Sequence, residues 1–153
     1  MISINLHNFR DYQKTVNWFK SEALKEAYGI SFQINAIKHQ KWLKRQKLVK
    51  VFSIFYNRRY VGNITLIVRT KRLIELQIFI GDEKLHKKGI GKLAIRSILL
   101  STPKTVTIYV RCKANLRRFY QRSGFVESAS FLKLHRRSSD DYLYLFNKGR
   151  RNG

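Results

Sequence analysis

Cysteine is nearly absent. Cys112 is the only one, which excludes an internal disulfide and a thiolate-built metal cluster within one chain. The four histidines are scattered, with neither an H-x-x-x-H spacing nor a nearby carboxylate, so no metal site is expected. No apolar run approaches the roughly 20 residues of a membrane span. The first residues lack the apolar core of a secretory leader, and the expected compartment is the cytoplasm. There is one proline and no internal repeat. Nothing marks a boundary, so the expectation is a single domain over residues 1–153.

Acidic residues are also scarce. Against 32 Lys and Arg stand 9 Asp and Glu, a formal net charge of +23. A field of that sign attracts nucleic acid, anionic surfaces and anionic small molecules. The basic residues are spread along Lys38–Lys50, the Lys84–Lys92 loop, Arg111–Arg122 and Lys148–Arg151 rather than gathered in one arm. What the chain does have is hydrophobic content, 44% with 13% aromatic, enough to bury a core at this length.

The most informative stretch runs from Leu73 to Leu100. Leu73 to Ile80 alternates as a strand does, with Ile74, Leu76, Ile78 and Ile80 on one face and Leu73, Glu75, Gln77 and Phe79 on the other. The first face is expected in the core and the second to carry polar groups. After Gly81-Asp82-Glu83-Lys84-Leu85 comes His86-Lys87-Lys88-Gly89-Ile90-Gly91-Lys92. Beyond it Ile90, Leu93, Ala94, Ser97 and Ile98 fall at helical spacing, and Pro103 follows the pattern's end.

A strand, a glycine loop and a helix start form an anion site when the loop exposes the helix's unpaired N–H groups at the positive end of its dipole. Lys84, Lys87, Lys88 and Lys92 add charge there. The loop lacks the Gly-Lys-Ser/Thr of a P-loop and the third glycine of a dinucleotide fingerprint. A plain structural turn is the alternative.

His86-x-x-Gly89-x-Gly91 resembles the acetyl-CoA loop of the GNAT N-acetyltransferases, usually Gln/Arg-x-x-Gly-x-Gly/Ala, with His86 as the departure. Ile80-Gly81-Asp82-Glu83-Lys84 resembles the branch with ribosomal-protein and nucleotide-aminosugar acetyltransferases. Arg118-Phe119-Tyr120-Gln121-Arg122-Ser123-Gly124-Phe125 resembles the family's second motif. The likeness covers roughly Lys50 to Phe146. It implies an α/β (α+β) fold, a mixed, mostly antiparallel central sheet of about six to seven strands flanked by helices, with its strands splayed where the coenzyme enters.

The resemblance implies acetyl-CoA as the cofactor, its pyrophosphate held by His86, Lys87, Lys88, Gly89, Ile90, Gly91 and Lys92, and its pantetheine amides paired with the strand end Ile78, Phe79 and Ile80. Tyr120 is the implied acid that protonates the departing thiolate, with a core tyrosine as the alternative. Glu75 is the implied base, acting through water with a raised pKa, because a mid-strand acid runs against propensity. A structural ion pair with an arginine on a neighbouring strand explains it equally. Asn115 is either a coenzyme contact displaced from the family's usual Asn position, where Lys113 stands, or a helix cap. Tyr109 stands near the place of a glutamate used by ribosomal-protein acetylating enzymes, which weakens a protein N-terminus as acceptor.

The remaining expectations are coarser. Ile2, Ile4 and Leu6 suggest a first strand, and Asp11 a cap for a helix through Val16, Trp18 and Phe19. Glu22–Tyr28 continues it until Gly29. Asn35 precedes a basic helix to about Lys47 with Ile37, Trp42 and Leu43 on its apolar face. In the resembled fold these helices overhang the acceptor, which makes Trp18, His39 and Trp42 substrate contacts or, for the tryptophans, ordinary core anchors. Val49–Tyr56 and Tyr60–Val68 form a hairpin leading through Thr70-Lys71 to the Leu73 strand. Thr105–Arg111, Phe125-Val126 and Tyr142–Phe146 complete the strands, and Asn115–Ser123 reads as a helix ended by Gly124. The preferred acceptor is a primary amine on a small anionic carrier, such as a nucleotide-linked aminosugar. The alternatives are an RNA-bound or ribosomal-protein amine and a non-catalytic binder of acyl-CoA or nucleic acid.

Overall fold

A computed structural model describes residues 1–27, 36–45, 47–127 and 143–148. Among them the strands are β1 (Ile2–Leu6), β2 (Val49–Tyr56), β3 (Arg59–Thr70), β4 (Leu73–Ile80), β5 (Thr107–Cys112), β6 (Val126–Glu127) and β7 (Leu143–Lys148). The helices are α1 (Phe9–Trp18), α2 (Glu22–Ala27), α3 (Ala36–Arg45), α4 (Ile90–Ser101) and α5 (Arg117–Arg122). The strands join one mixed sheet in the order β1-β2-β3-β4-β5-β7-β6. β1–β2, β5–β7 and β6–β7 pair antiparallel, whereas β4 and β5 run parallel from Leu73↔Thr107 to Glu75↔Tyr109. This is the expected mostly antiparallel sheet flanked by helices. The chain forms two compact units, Met1–Thr65 with Ile78–Gly91 and Leu66–Gln77 with Lys92–Gly153.

In the first unit the β2–β3 turn uses Asn57 and Arg58 at φ 49 and 64, the paired left-handed conformation that matches strand twist in a tight hairpin. Asn57 also accepts from the Met1 amine at 3.0 Å, tying down the start of β1. α1 is capped by Asn8, whose side chain takes the N–H of Arg10 and Asp11 while Asp11 reaches back to the Asn8 N–H. Asp11 therefore closes a capping box from the third helical position instead of being the cap itself. Its other task is unforeseen: Ser53 Oγ donates to Asp11 Oδ2 at 2.5 Å, and His7 Nδ1 meets the same hydroxyl at 2.7 Å. These groups pin α1 to β1 and β2.

α4 buries Ile90, Ala94, Ile95 and Ile98, while Leu93 is 50% exposed and Ser97 lies outside the core. The apolar face is thus rotated from the expected one: Ile95 is in it, and Leu93 and Ser97 are not. Ile37 on α3 is likewise exposed, contrary to its expected core position. Gly124, at φ 104, follows the Ser123 cap of α5 in the expected left-handed role.

β4 departs from the simple two-face reading. Glu75 and Phe79 are buried along with Leu76, Ile78 and Ile80, and only Gln77 is exposed. A strand with neighbours on both sides and covered on both faces buries its second face as well. The Tyr28–Gly29 helix end, Asn35 and Tyr142 fall outside the described residues.

Candidate active site

The loop site is built within the first unit. β4 ends at Ile80 beneath Gly81, whose N–H donates to the Val61 carbonyl at 2.9 Å. Asp82 Oδ1 accepts from the Lys84 N–H at 3.0 Å and starts a 3-10 turn over Glu83–Leu85. The chain then passes Lys87 at φ 62 and Gly89 at φ 79 before α4 begins at Ile90. Two left-handed residues in three positions fold the backbone back on itself just before a helix start. The first-turn N–H groups of α4 lack intrahelical acceptors. Lys84, Lys87 and Lys88 are exposed beside them.

This donor set fits a pyrophosphate. A Cβ built on Gly89 would meet nothing within 4 Å, so space above this backbone is open, and glycine serves the left-handed φ there. His86 returns to the end of β4. Its Nε2 lies 2.7 Å from the Ile80 carbonyl oxygen, which only accepts, so Nε2 carries the proton.

Trp18 is half-buried at the end of α1. Its ring lies 5.1 Å from Tyr60 and 5.5 Å from Phe79, with Lys14 Nζ at 5.3 Å. It packs on Gly81 so closely that a Cβ there would stand 2.5 Å from its Cε2. Gly81→Ala is therefore expected to lower stability by about 2 kcal/mol through overpacking, read as a fall in urea midpoint with unchanged slope. His39 and Trp42 sit on α3, but their side chains lie outside the described residues.

In the second unit Glu75 is 5% exposed. Its Oε2 accepts from Arg69 Nε at 3.0 Å, from Arg69 Nη2 and from Tyr109 Oη at 2.9 Å, and its Oε1 accepts from Gln77 Nε2 at 3.2 Å. Burial alone would raise its pKa, but the bonds from Arg69, Tyr109 and Gln77 outweigh burial and hold it below the ordinary glutamate value. The raised pKa expected of a general base is thus corrected to a lowered one. The neighbouring arginine of the alternative reading is Arg69. Tyr109, which sequence reasoning noted only for the glutamate it replaces, is part of the same cluster, and burial followed by the Glu75 charge pushes it up to about 12.

Tyr120 is buried in α5, its ring 4.9 Å from Phe119 and 5.8 Å from Phe125. Its carbonyl accepts from the N–H groups of Ser123 and Phe125. Asn115 lies exposed inside a 3-10 turn, Ala114–Leu116, whose cap position is Lys113, so it is not the helix cap.

The model of the acetyltransferase (GNAT) domain matches residues 19–133. No curated protein matches the sequence. Among solved structures, the spermidine N-acetyltransferase from Vibrio cholerae in complex with CoA and spermine has a TM-score of 0.78 at 15% identity, over 97% of this chain and 95% of that one. An aminoglycoside acetyltransferase AAC(6')-Ib in complex with coenzyme A has the same values. A domain from Methanocaldococcus jannaschii has a TM-score of 0.75 at 16% identity, over 95% of this chain and 97% of that one.

Proposed function

Since the chain belongs to the GNAT family of acetyl-CoA-dependent N-acetyltransferases, we propose that its acceptor is a primary amine on a small polyanionic carrier, such as a nucleotide-linked aminosugar. The observation that carries this reading is the net charge of +23. Spermine and spermidine are polycations, and the spermidine N-acetyltransferase with which this chain shares its fold is seen in complex with spermine. A field of this sign repels such molecules and concentrates anions. The exposed Lys84, Lys87 and Lys88 place part of the charge at the loop.

Acetyl-CoA, when bound, supplies an acetyl group activated as a thioester. The backbone N–H groups from Lys87 to Lys92 hold its pyrophosphate, helped by the positive end of α4. The strand end Ile78–Ile80 would pair with its pantetheine amides. Tyr120 Oη delivers the proton that the departing thiolate needs. Glu75 stays ionised beside Arg69 and supports the strands instead of taking the amine's proton. Two motifs in linked order support these roles.

The test is steady-state acetylation of a nucleotide-linked aminosugar and of spermidine under one ionic strength. The expected kcat/KM ratio favours the anionic acceptor by at least about tenfold and shrinks as salt is raised. Preference for spermidine at low salt would overturn the reading.

A further inference from the structure

The segment Phe79–Gly81 is gripped unusually tightly for the end of a strand. A Cβ on Gly62 of β3 would overlap the Phe79 carbonyl oxygen and stand 2.9 Å from Ile80 Cα, so the two backbones touch with no side chain between them. The Gly81 N–H is held by the Val61 carbonyl at 2.9 Å. Trp18 covers Gly81 and is itself wedged against Tyr60 and Phe79. His86, beyond the turn, returns to the Ile80 carbonyl at 2.7 Å. The last contact closes residues 80–86 into a ring, so the phosphate loop leaves from a fixed point.

α1 carries Trp18, and α1 is itself anchored by the buried His7–Ser53–Asp11 contacts and by Thr15 Oγ1 bonded to Tyr60 Oη at 2.7 Å. Lys14 Nζ donates to the Tyr60 carbonyl at 2.8 Å. The helix that ends at Trp18 is therefore fastened along its length, and the indole is a fixed stop. A loop held in its binding conformation does not lose that freedom again when a ligand arrives.

We infer that Trp18 and His86 are positioning residues that pre-order the phosphate loop, and that His86 serves coenzyme binding through its contact with the Ile80 carbonyl. This rests on the reading of the loop as the coenzyme site. It separates His86 from the loop's backbone donors: its ring Nε2 is engaged by the Ile80 carbonyl, and its contribution is to hold the shape of the loop.

The experiment uses the full chain in two arms. In the first, amide hydrogen exchange is followed without ligand. His86→Ala should speed exchange across residues 82–91 by about tenfold, the loss expected of one well-placed hydrogen bond. His86→Gln, whose amide N–H can reach the same carbonyl, should restore most of the protection. Trp18→Phe, which keeps the core filled but uncovers part of Gly81, should speed exchange nearest Gly81. In the second arm coenzyme A is titrated calorimetrically. Its Kd should rise about tenfold in His86→Ala and return to within about threefold in His86→Gln.

Unchanged loop exchange in His86→Ala would overturn the inference. So would equal loss of affinity in the Ala and Gln variants with exchange unaltered, since that is the signature of direct phosphate contact. If the wild-type chain gave no coenzyme A binding, the coenzyme reading would fail, and the exchange arm would still decide the clamp.

Discussion

Tyr120→Phe is expected to lower kcat by about 100-fold while leaving the Kd for coenzyme A within about twofold, because in the proposed mechanism it removes the hydroxyl that protonates the thiolate and keeps the ring. The ring is 6% exposed and held between Phe119 and Phe125, and its main-chain carbonyl is bonded to Ser123 and Phe125. Phenylalanine keeps all of those contacts. The stability change should therefore stay near about 1 kcal/mol, small enough that lost turnover cannot be ascribed to unfolding. The check is release of free thiol against time, with coenzyme binding measured on the same preparation. Retained turnover with a lowered melting temperature would make Tyr120 a core residue only.

Glu75→Ala should cost about 3 kcal/mol, the second large effect. Four hydrogen-bond contacts from three residues converge on this buried carboxylate, and its removal leaves the Tyr109 hydroxyl and Gln77 amide without their acceptor. The Arg69 side chain is 47% exposed, so water takes over part of its solvation and keeps the loss below that of a fully buried pair. The pH dependence has a definite sign. The folded-state pKa lies below the ordinary glutamate value of 4.5, so the ionised group contributes stability fully above that pH. The contribution fades as pH falls through the folded value. Urea unfolding from neutral pH down to below 4 should show this acid-side loss in the wild type and its near absence in Glu75→Gln. For activity, Glu75→Gln should lower the rate by a factor that does not change with pH. A loss concentrated at neutral pH and relieved at high pH would instead identify Glu75 as the base.

The strand, loop and helix around the glycines were legible because the hydrophobic period switches from alternation to helical spacing just where the glycines stand. Tyr120 could be singled out only through the resemblance of Arg118–Phe125 to the family's second motif, since a tyrosine at helical spacing otherwise reads as core. What could not be read was how each face is covered. Alternation along β4 predicted one buried face, yet Glu75 and Phe79 are buried too, since that depends on neighbours far away in the chain. The sense of the Glu75 pKa depended likewise on Arg69 and Tyr109 converging with Gln77 on one carboxylate. Asp11 had the composition of a cap, but Asn8, three residues earlier, holds the cap position and uses Asp11 as its partner. The role of Trp18 was the least legible. Nothing local shows that a tryptophan will lie on a particular glycine more than sixty residues away.

The most direct test of the central claim is to incubate the protein with radiolabelled acetyl-CoA and cell extract, then separate macromolecules from small molecules and resolve the latter by charge. Label is expected in anionic small molecules, carried on an amine and lost in Tyr120→Phe. Label confined to cationic amines, or to macromolecules with or without ribonuclease treatment, would contradict it.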